Sequence, residues 1–168
     1  MRCSTAVTAV CLVTLLTVCV SVDAADRFKP APGCKKRYSE LAELEASLKG
    51  ERKVPFDGDP KAIKECNLLR PIPPREIRKQ VNVAVIVFDI TGSGRVVGQQ
   101  LVAGKGTPWG ELSVLHAAQW LFEPLVEDGV GITRVGVSVA LISAPMKECD
   151  KVPSPPGTNF EVRVCSRV

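Results

Sequence analysis

Residues 81–90, VNVAVIVFDI, constrain the fold of this chain more than any other segment. β-branched residues dominate the run, and apolar side chains occupy both odd and even positions. Such a run favours a β-strand, and both of its faces need cover from other parts of the chain. The next four residues, Thr91-Gly92-Ser93-Gly94, are typical of a turn because glycine adopts positive φ easily. Residues 95–103 are then predicted to form a second strand, which completes a hairpin.

A helix is predicted after the hairpin. Thr107 suits the N-cap and Pro108 the first helical position, and Pro124 ends the element. We expect the helix to reach about Phe122 and to face the sheet with one apolar arc, formed by Val114, Leu115, Ala117, Ala118, Leu121 and Phe122. The opposite side would carry Ser113, His116, Trp120 and Glu123.

A third strand is predicted over residues 133–142, where apolar residues alternate with small or polar ones. The order strand, strand, helix, strand over residues 80–143 predicts an α+β fold, with an antiparallel three-stranded sheet and one helix packed on it. The extension at 144–168 contains a Pro-rich loop and a possible fourth strand at 159–164, whose pairing would close the edge of the third strand.

The first 24 residues resemble a secretory signal peptide. Arg2 is followed by twenty uncharged residues, and small residues surround Ala24. Export of the mature chain to the periplasm or the medium follows from cleavage there. The alternative is an uncleaved membrane anchor, because twenty uncharged residues can just span a bilayer.

The mature chain would retain four cysteines, Cys34, Cys66, Cys149 and Cys165. An even number in an exported protein predicts two disulfides, for which three pairings are open. We favour Cys34–Cys66 and Cys149–Cys165, since each pair brackets a compact local unit.

The segment 25–79 is rich in proline and is predicted to be helical. Residues 38–48 form one amphipathic helix, with Leu41, Leu44 and Leu48 on a shared face. Asp59 and Pro60 predict the start of a second helix, which would carry Ile63, Cys66 and Leu68.

Residues 83–142 resemble the C-terminal domain of TonB-like energy transducers. The hairpin VAVIVFDITGSGRVVGQQLVAG is similar to the first two strands of that family. The run AAQWLFEP at 117–124 is similar to its alanine-rich helix, which closes in Trp-x-aromatic-x-Pro, and residues 129–141 to its glycine loop and last strand.

The resemblance implies a periplasmic module that pairs with an extended peptide at a sheet edge. The partner would be an envelope protein or peptide, with an outer-membrane transporter as a candidate. The implied docking edge is the last strand: Arg134, Val135, Gly136, Val137, Ser138, Val139, Ala140 and Leu141. Family members usually carry an uncleaved anchor and a long Pro-rich spacer. This chain has only about 55 residues between the signal and the domain, so a soluble adaptor is expected rather than an energy transducer; a transducer with an uncleaved N-terminus is the alternative.

A cystatin-like inhibitor of cysteine proteases is a second hypothesis. Residues 100–104, QLVAG, match the Gln-x-Val-x-Gly loop of cystatins, and Pro108-Trp109 matches their Pro-Trp pair. The order of elements differs, however, since the main helix of cystatins precedes this loop.

Composition argues against several other functions. The single histidine, His116, disfavours His-based metal sites and catalytic triads, so we expect no enzyme, metal or cofactor. Asp57 and Asp59 are typical of a turn and a cap. The net charge is only +4, from 22 Lys+Arg and 18 Asp+Glu, and Tyr38 and the two tryptophans do not interleave with a basic stripe. Both observations disfavour nucleic acid. A membrane contact is expected only without cleavage, and a dimer is open because the hairpin is so apolar.

Overall fold

The structure is a computed structural model, and it describes residues 32–58, 60–63, 66 and 73–167. The predicted signal peptide lies outside these residues, as do Asp59 and Leu68 of the predicted second helix. The elements are α1 (Pro32–Ser47), β1 (Gly50–Pro55), α2 (Arg75–Arg78), β2 (Asn82–Ile90), β3 (Val96–Ala103), α3 (Pro108–Ala117), β4 (Val126–Glu127), β5 (Val130–Pro145), α4 (Met146–Cys149) and β6 (Phe160–Ser166).

The strands form one mixed sheet with β5 at its centre. On one side β5 pairs antiparallel with β2, which in turn pairs antiparallel with β3. On its other side two strands run parallel to it: β1 along residues 130–135 and β6 along residues 139–145. The two-residue strand β4 pairs with the start of β5. The predicted α+β class and the order strand, strand, helix, strand are confirmed. The sheet itself is larger than predicted and is mixed rather than antiparallel.

Strand β1 was absent from the prediction for a simple reason. Its sequence, GERKVP, is charged and has no apolar alternation, so it carries no strand signal of its own. It forms because β5 extends over 16 residues, well beyond the predicted 133–142, and offers it a partner.

The main core lies between α3 and one face of the sheet. Trp109 anchors the helix: its side chain is 1% exposed, and its indole Nε1 donates a hydrogen bond to the Leu141 carbonyl at 3.0 Å. Gly110 permits the close approach, since a Cβ there would lie under 3.0 Å from the Gly104 carbonyl oxygen. The lack of a side chain at Gly110 thus lets α3 pack closely against the end of β3.

The predicted burial arc of this helix is therefore only partly right. Ala117, Leu121 and Phe122 are buried as predicted. Ser113, His116 and Trp120 are buried although they were placed on the outer side, and Leu115 is 46% exposed. The anchoring of Trp109 sets the rotation of the helix, and this outweighs the transfer free energy of one leucine.

The predicted helix also ends earlier than expected. Residues 120–122 are extended and buried, with Leu121 bridged to Arg95 and Phe122 to Ala62. Trp120 and Phe122 belong to an aromatic cluster with Phe88 and Phe160, whose ring centroids lie 6.0 to 6.4 Å apart.

Helix α1 packs through a second, smaller core. Leu41 and the partly buried Leu44 lie on the predicted face and pack with Cys34, Cys66 and Leu121. The predicted helix from Pro60 is not formed over residues 60–63, where Ala62 instead bridges to Phe122.

Both favoured cysteine pairs are present. Cys34 is bonded to Cys66, with Cα atoms 5.2 Å apart, and Cys149 to Cys165, with Cα atoms 5.6 Å apart. The first bond joins α1 to the segment before α2, and the second joins α4 to β6.

Candidate docking edges of the sheet

The strand expected to form the docking edge is the interior strand of the sheet. β2 pairs with it from Arg134 to Ser143. On the other side β1 pairs as far as Val135, and β6 from Val139 onward. The expectation that Arg134, Val135, Gly136, Val137, Ser138, Val139, Ala140 and Leu141 form an open edge is therefore wrong. The tail strand closes it, together with a strand that the sequence did not reveal.

The short gap between β1 and β6 is closed as well. The Val135 carbonyl accepts the Phe56 N–H at 2.9 Å. The Ser138 N–H donates to the Asn159 side-chain oxygen at 2.7 Å, and the Ser138 carbonyl accepts the Asn159 N–H at 2.8 Å. On the β2 side of the strand, the Gly136 N–H donates to an Asp89 carboxylate oxygen at 3.0 Å. Asn159 thus occupies the place that a bound peptide would take.

The apolar side chains at the centre of this segment pack in the core and do not face solvent. Val137, Val139 and Leu141 are fully buried in the main core. Arg134 is half-buried and donates to the Glu123 carbonyl at 3.0 Å; burial lowers the pKa of its guanidinium.

Strand β3 forms the outer edge at the opposite side of the sheet. In the part of the chain that the structure describes, it pairs with β2 alone. Two of its apolar side chains point into solvent: Val97 is 42% exposed and Val102 is 58% exposed. An edge strand with exposed β-branched residues is a template for a further strand.

Two irregularities shape the β3 edge. The register with β2 shifts between Val85 and Ile86 and again between Val87 and Asp89. The second shift contains Gly98, which adopts a φ of 66°. Bulges increase the local twist of a strand, and a twisted edge resists pairing with a second flat sheet. A short flexible peptide can follow the twist.

A cleft runs beside this edge. It has a volume of about 580 Å³ and is lined by Gln100, Leu101, Val102, Lys105, Gly106 and Glu111. Leu101 also packs against the main core, so it forms an apolar floor, while Lys105 and Glu111 supply one charge of each sign. The cleft would receive side chains that project from a strand paired to β3.

The residues of the cystatin-like motif lie within this edge. Gln100, Leu101, Val102 and Ala103 belong to β3, and Gly104 starts the following turn with a φ of 88°. In this structure the first four residues of the motif are therefore part of a sheet and do not form a separate loop.

Two polar side chains that were placed on the outer side of the helix, Ser113 and His116, lie in the core. His116 is 1% exposed and Ser113 is fully buried, so neither is accessible to a substrate in this structure. Burial lowers the pKa of His116 from 6.5 to about 4. Among the described residues, no three His, Cys, Asp or Glu side chains are grouped in a way that could hold a metal ion.

Comparison of the chain with family models, with curated proteins and with solved structures gave no match. Over the described ranges, none of the helices is both long and apolar enough to cross a membrane.

The sequence analysis did not identify β3 as a docking edge, because the order of strands along the chain does not give their order in the sheet. A signal was present: residues 96–103 follow a tight turn and precede a helix cap, so only β2 is a local partner for them. The tail strand was expected to pair with the free side of β5. With β5 covered in this way, β3 is left as an outer strand of the sheet.

Proposed function

We propose that this chain is an exported binding module that captures an extended peptide by strand addition along β3, without catalysis. The observation that carries the proposal is the position of β3. It is an eight-residue strand with one partner, two exposed valines and a cleft beside it. Strand addition combines main-chain hydrogen bonds with side-chain pockets, and β3 and its cleft offer both.

Export is supported by the two disulfides, which persist in oxidising compartments such as the periplasm. The resemblance to TonB-like domains supports the same location and the same mode of recognition, with an envelope protein or outer-membrane transporter as the source of the peptide. In our proposal the docking edge is β3 instead of residues 134–141 of β5, because β1, β6 and Asn159 already pair with β5.

A peptide suits this edge better than a second copy of the chain. The bulges at Gly98 and near Val102 twist β3 away from flat pairing. The proposed partner is therefore a short, extended and partly apolar segment, with one side chain that enters the cleft over Leu101.

The test is selection of peptides from a random library on the oxidised protein, followed by affinity measurements on two variants. Val102→Lys places a charge on the exposed edge and should weaken binding about tenfold or more, equivalent to about 1.4 kcal/mol. Met146→Lys is the matched control, because Met146 is 49% exposed on α4, and its affinity should be unchanged. Equal affinities for the two variants, or self-association through β3 in place of peptide binding, would contradict the proposal.

A further inference from the structure

A second pocket lies at the hairpin end of the sheet and shares no lining residue with the β3 cleft. Its volume is about 290 Å³. The polar part of its lining consists of two carboxylates, Glu45 and Glu51, and three hydroxyls, Thr91, Ser93 and Thr133. None of the lining residues is basic. The pocket therefore offers hydrogen-bond acceptors and negative charge.

The hydroxyl of Thr133 is the observation that points to a ligand. Thr133 is 2% exposed, and its Oγ1 is buried with no hydrogen-bond partner among the described residues. A buried hydroxyl without a partner is costly, so native structures rarely keep one. The other two hydroxyls satisfy each other: Thr91 Oγ1 and Ser93 Oγ lie 2.9 Å apart, and Thr91 Oγ1 also accepts the Arg95 N–H at 3.1 Å.

The two carboxylates differ in whether they take part in an ion pair. Glu45 pairs with Arg95, with an Nη1 to Oε2 distance of 3.2 Å. Glu51 takes part in none of the ion pairs found over the described ranges. Glu51, which lies outside these ion pairs, and Thr133, whose hydroxyl has no partner among the described residues, thus line the same pocket.

The floor of the pocket is rigid. Gly92 lies directly against Gly131, and a Cβ on Gly92 would come under 3.0 Å from the Gly131 backbone. Gly131 is also paired with β1, through Glu51. The backbone that carries these acceptors is therefore held by the packed turn and by the pairing of β1 with β5, which lowers part of the ordering cost of binding.

We propose that this pocket binds a primary ammonium group, carried by a small amine or by a lysine side chain. An ammonium has three donors and no acceptor, which matches the Thr133 hydroxyl and the Glu51 carboxylate. The site is independent of peptide capture at β3.

The experiment is a titration of the oxidised full-length mature protein followed by ¹H–¹⁵N correlation spectra. The probes are n-butylammonium chloride and the capped peptide acetyl-Gly-Lys-Gly-amide, and the neutral control is 1-butanol. The amides of Gly92 and Gly131 report on the pocket, and those of Gly136 and Gly157 serve as distant references. We expect saturable shifts at the first pair alone, with a Kd on the order of 1 mM.

Two variants test the assigned groups. Thr133→Val removes the hydroxyl and keeps the shape of the side chain, and Glu51→Gln removes the charge at an exposed position. Each should weaken binding about tenfold. Glu127→Gln is the control, because Glu127 is an exposed carboxylate paired with Arg52 outside the pocket, and it should bind as the native protein does. Glu51→Gln keeps the test decisive if Thr133→Val does not fold.

The two probes also identify the source of the ammonium group. Binding of butylammonium alone assigns a small amine, and binding of the peptide alone assigns a lysine side chain; both results support the site. Absence of saturable shifts, equal shifts with 1-butanol, or unchanged affinity in both pocket variants would overturn the proposal.

Discussion

His116 is a titratable side chain of α3 that the fold buries almost completely. It is the only histidine of the chain, and its ring lies 5.7 Å from the Trp120 ring, edge to face. Desolvation lowers its pKa to about 4. The folded protein therefore keeps the imidazole neutral, while the unfolded chain binds a proton at a pKa near 6.5.

This difference predicts acid sensitivity with a definite sign. The contribution of His116 to the free energy of unfolding should be level above about pH 7.5 and should fall as pH drops toward 4, because the unfolded state then binds more protons. Between pH 7.5 and pH 5 the loss should be about 2 kcal/mol. Urea unfolding across this range measures it. His116→Gln should flatten the profile over the same interval, and an unchanged slope in that variant would contradict a neutral buried histidine.

Glycine is required at position 94 for two reasons: its positive φ and the lack of space for a Cβ. A second glycine separates their effects. Gly94 and Gly157 both adopt positive φ, 91° and 78°. A Cβ on Gly94 would come under 3.0 Å from the Phe122 carbonyl oxygen, whereas nothing lies within 4 Å of one on Gly157.

Alanine at these two glycines should therefore have different effects. Gly157→Ala should cost about 1 kcal/mol, from left-handed strain alone. Gly94→Ala should cost at least about 2 kcal/mol more, because it also displaces the buried segment around Phe122. Chemical denaturation of both variants measures the difference, and equal losses would refute the close turn contact.

Periodicity could not predict the inward face of α3. Hydrophobicity places Leu115 inside and His116 outside, yet the reverse is observed. The deciding contacts are the Trp109 bond to the Leu141 carbonyl and the approach of Gly110 to Gly104. The first contact joins residues 32 positions apart in the sequence, and the second depends on how the turn before the helix folds, so hydrophobic periodicity reveals neither.

At the scale of elements, β6 and α4 form a tied unit at one end of β5. Cys149 and Cys165 join them across 16 residues. Arg163 adds hydrogen bonds to the carbonyls of Cys149 and Val152, and it pairs with Glu161 at 2.7 Å. These contacts hold β6 in the place that a peptide would otherwise take.

Removal of this disulfide should loosen the unit without unfolding the sheet. The double variant Cys149→Ser and Cys165→Ser should lose about 3 kcal/mol of stability in the chain-entropy model. Its β6 amides and the Asn159 amide should exchange faster with solvent than in the native protein, while those of β2 stay protected. Mass-spectrometric hydrogen exchange distinguishes the two sets, and uniform acceleration in β2 and β6 would argue against a separately tied unit.

The elements with strong local signals were predictable, and those with a purely tertiary cause were not. The hairpin of β2 and β3 and the Thr107 cap were predicted from residue type; the cap accepts the Gly110 N–H at 3.0 Å. Strand β1 and the extended segment 120–122 were not, because a partner strand stabilises the first, and aromatic packing the second. The pairing of β6 with β5 was foreseen as the condition that closes the docking edge.

At the scale of the whole molecule, the two sides of the sheet differ. On one side β1, Asn159 and β6 cover β5, and β1 and β6 are themselves outer strands. On the other side the outer strand is β3, which has the cleft beside it. One disulfide joins α1 to Cys66, and the other joins α4 to β6 of the sheet. The strand proposed for recognition, β3, is separated from β6, which carries Cys165, by β5 and β2 in the order of the sheet.

The most direct test of peptide capture at β3 is hydrogen exchange of the backbone amides, measured without and with a selected peptide. We expect the β5 amides to be protected in both states, and additional protection on binding to appear along residues 96–103. Protection that instead appears at residues 134–141, with faster exchange in β6, would mean that the peptide displaces the tail strand and docks on β5. That result would contradict the account.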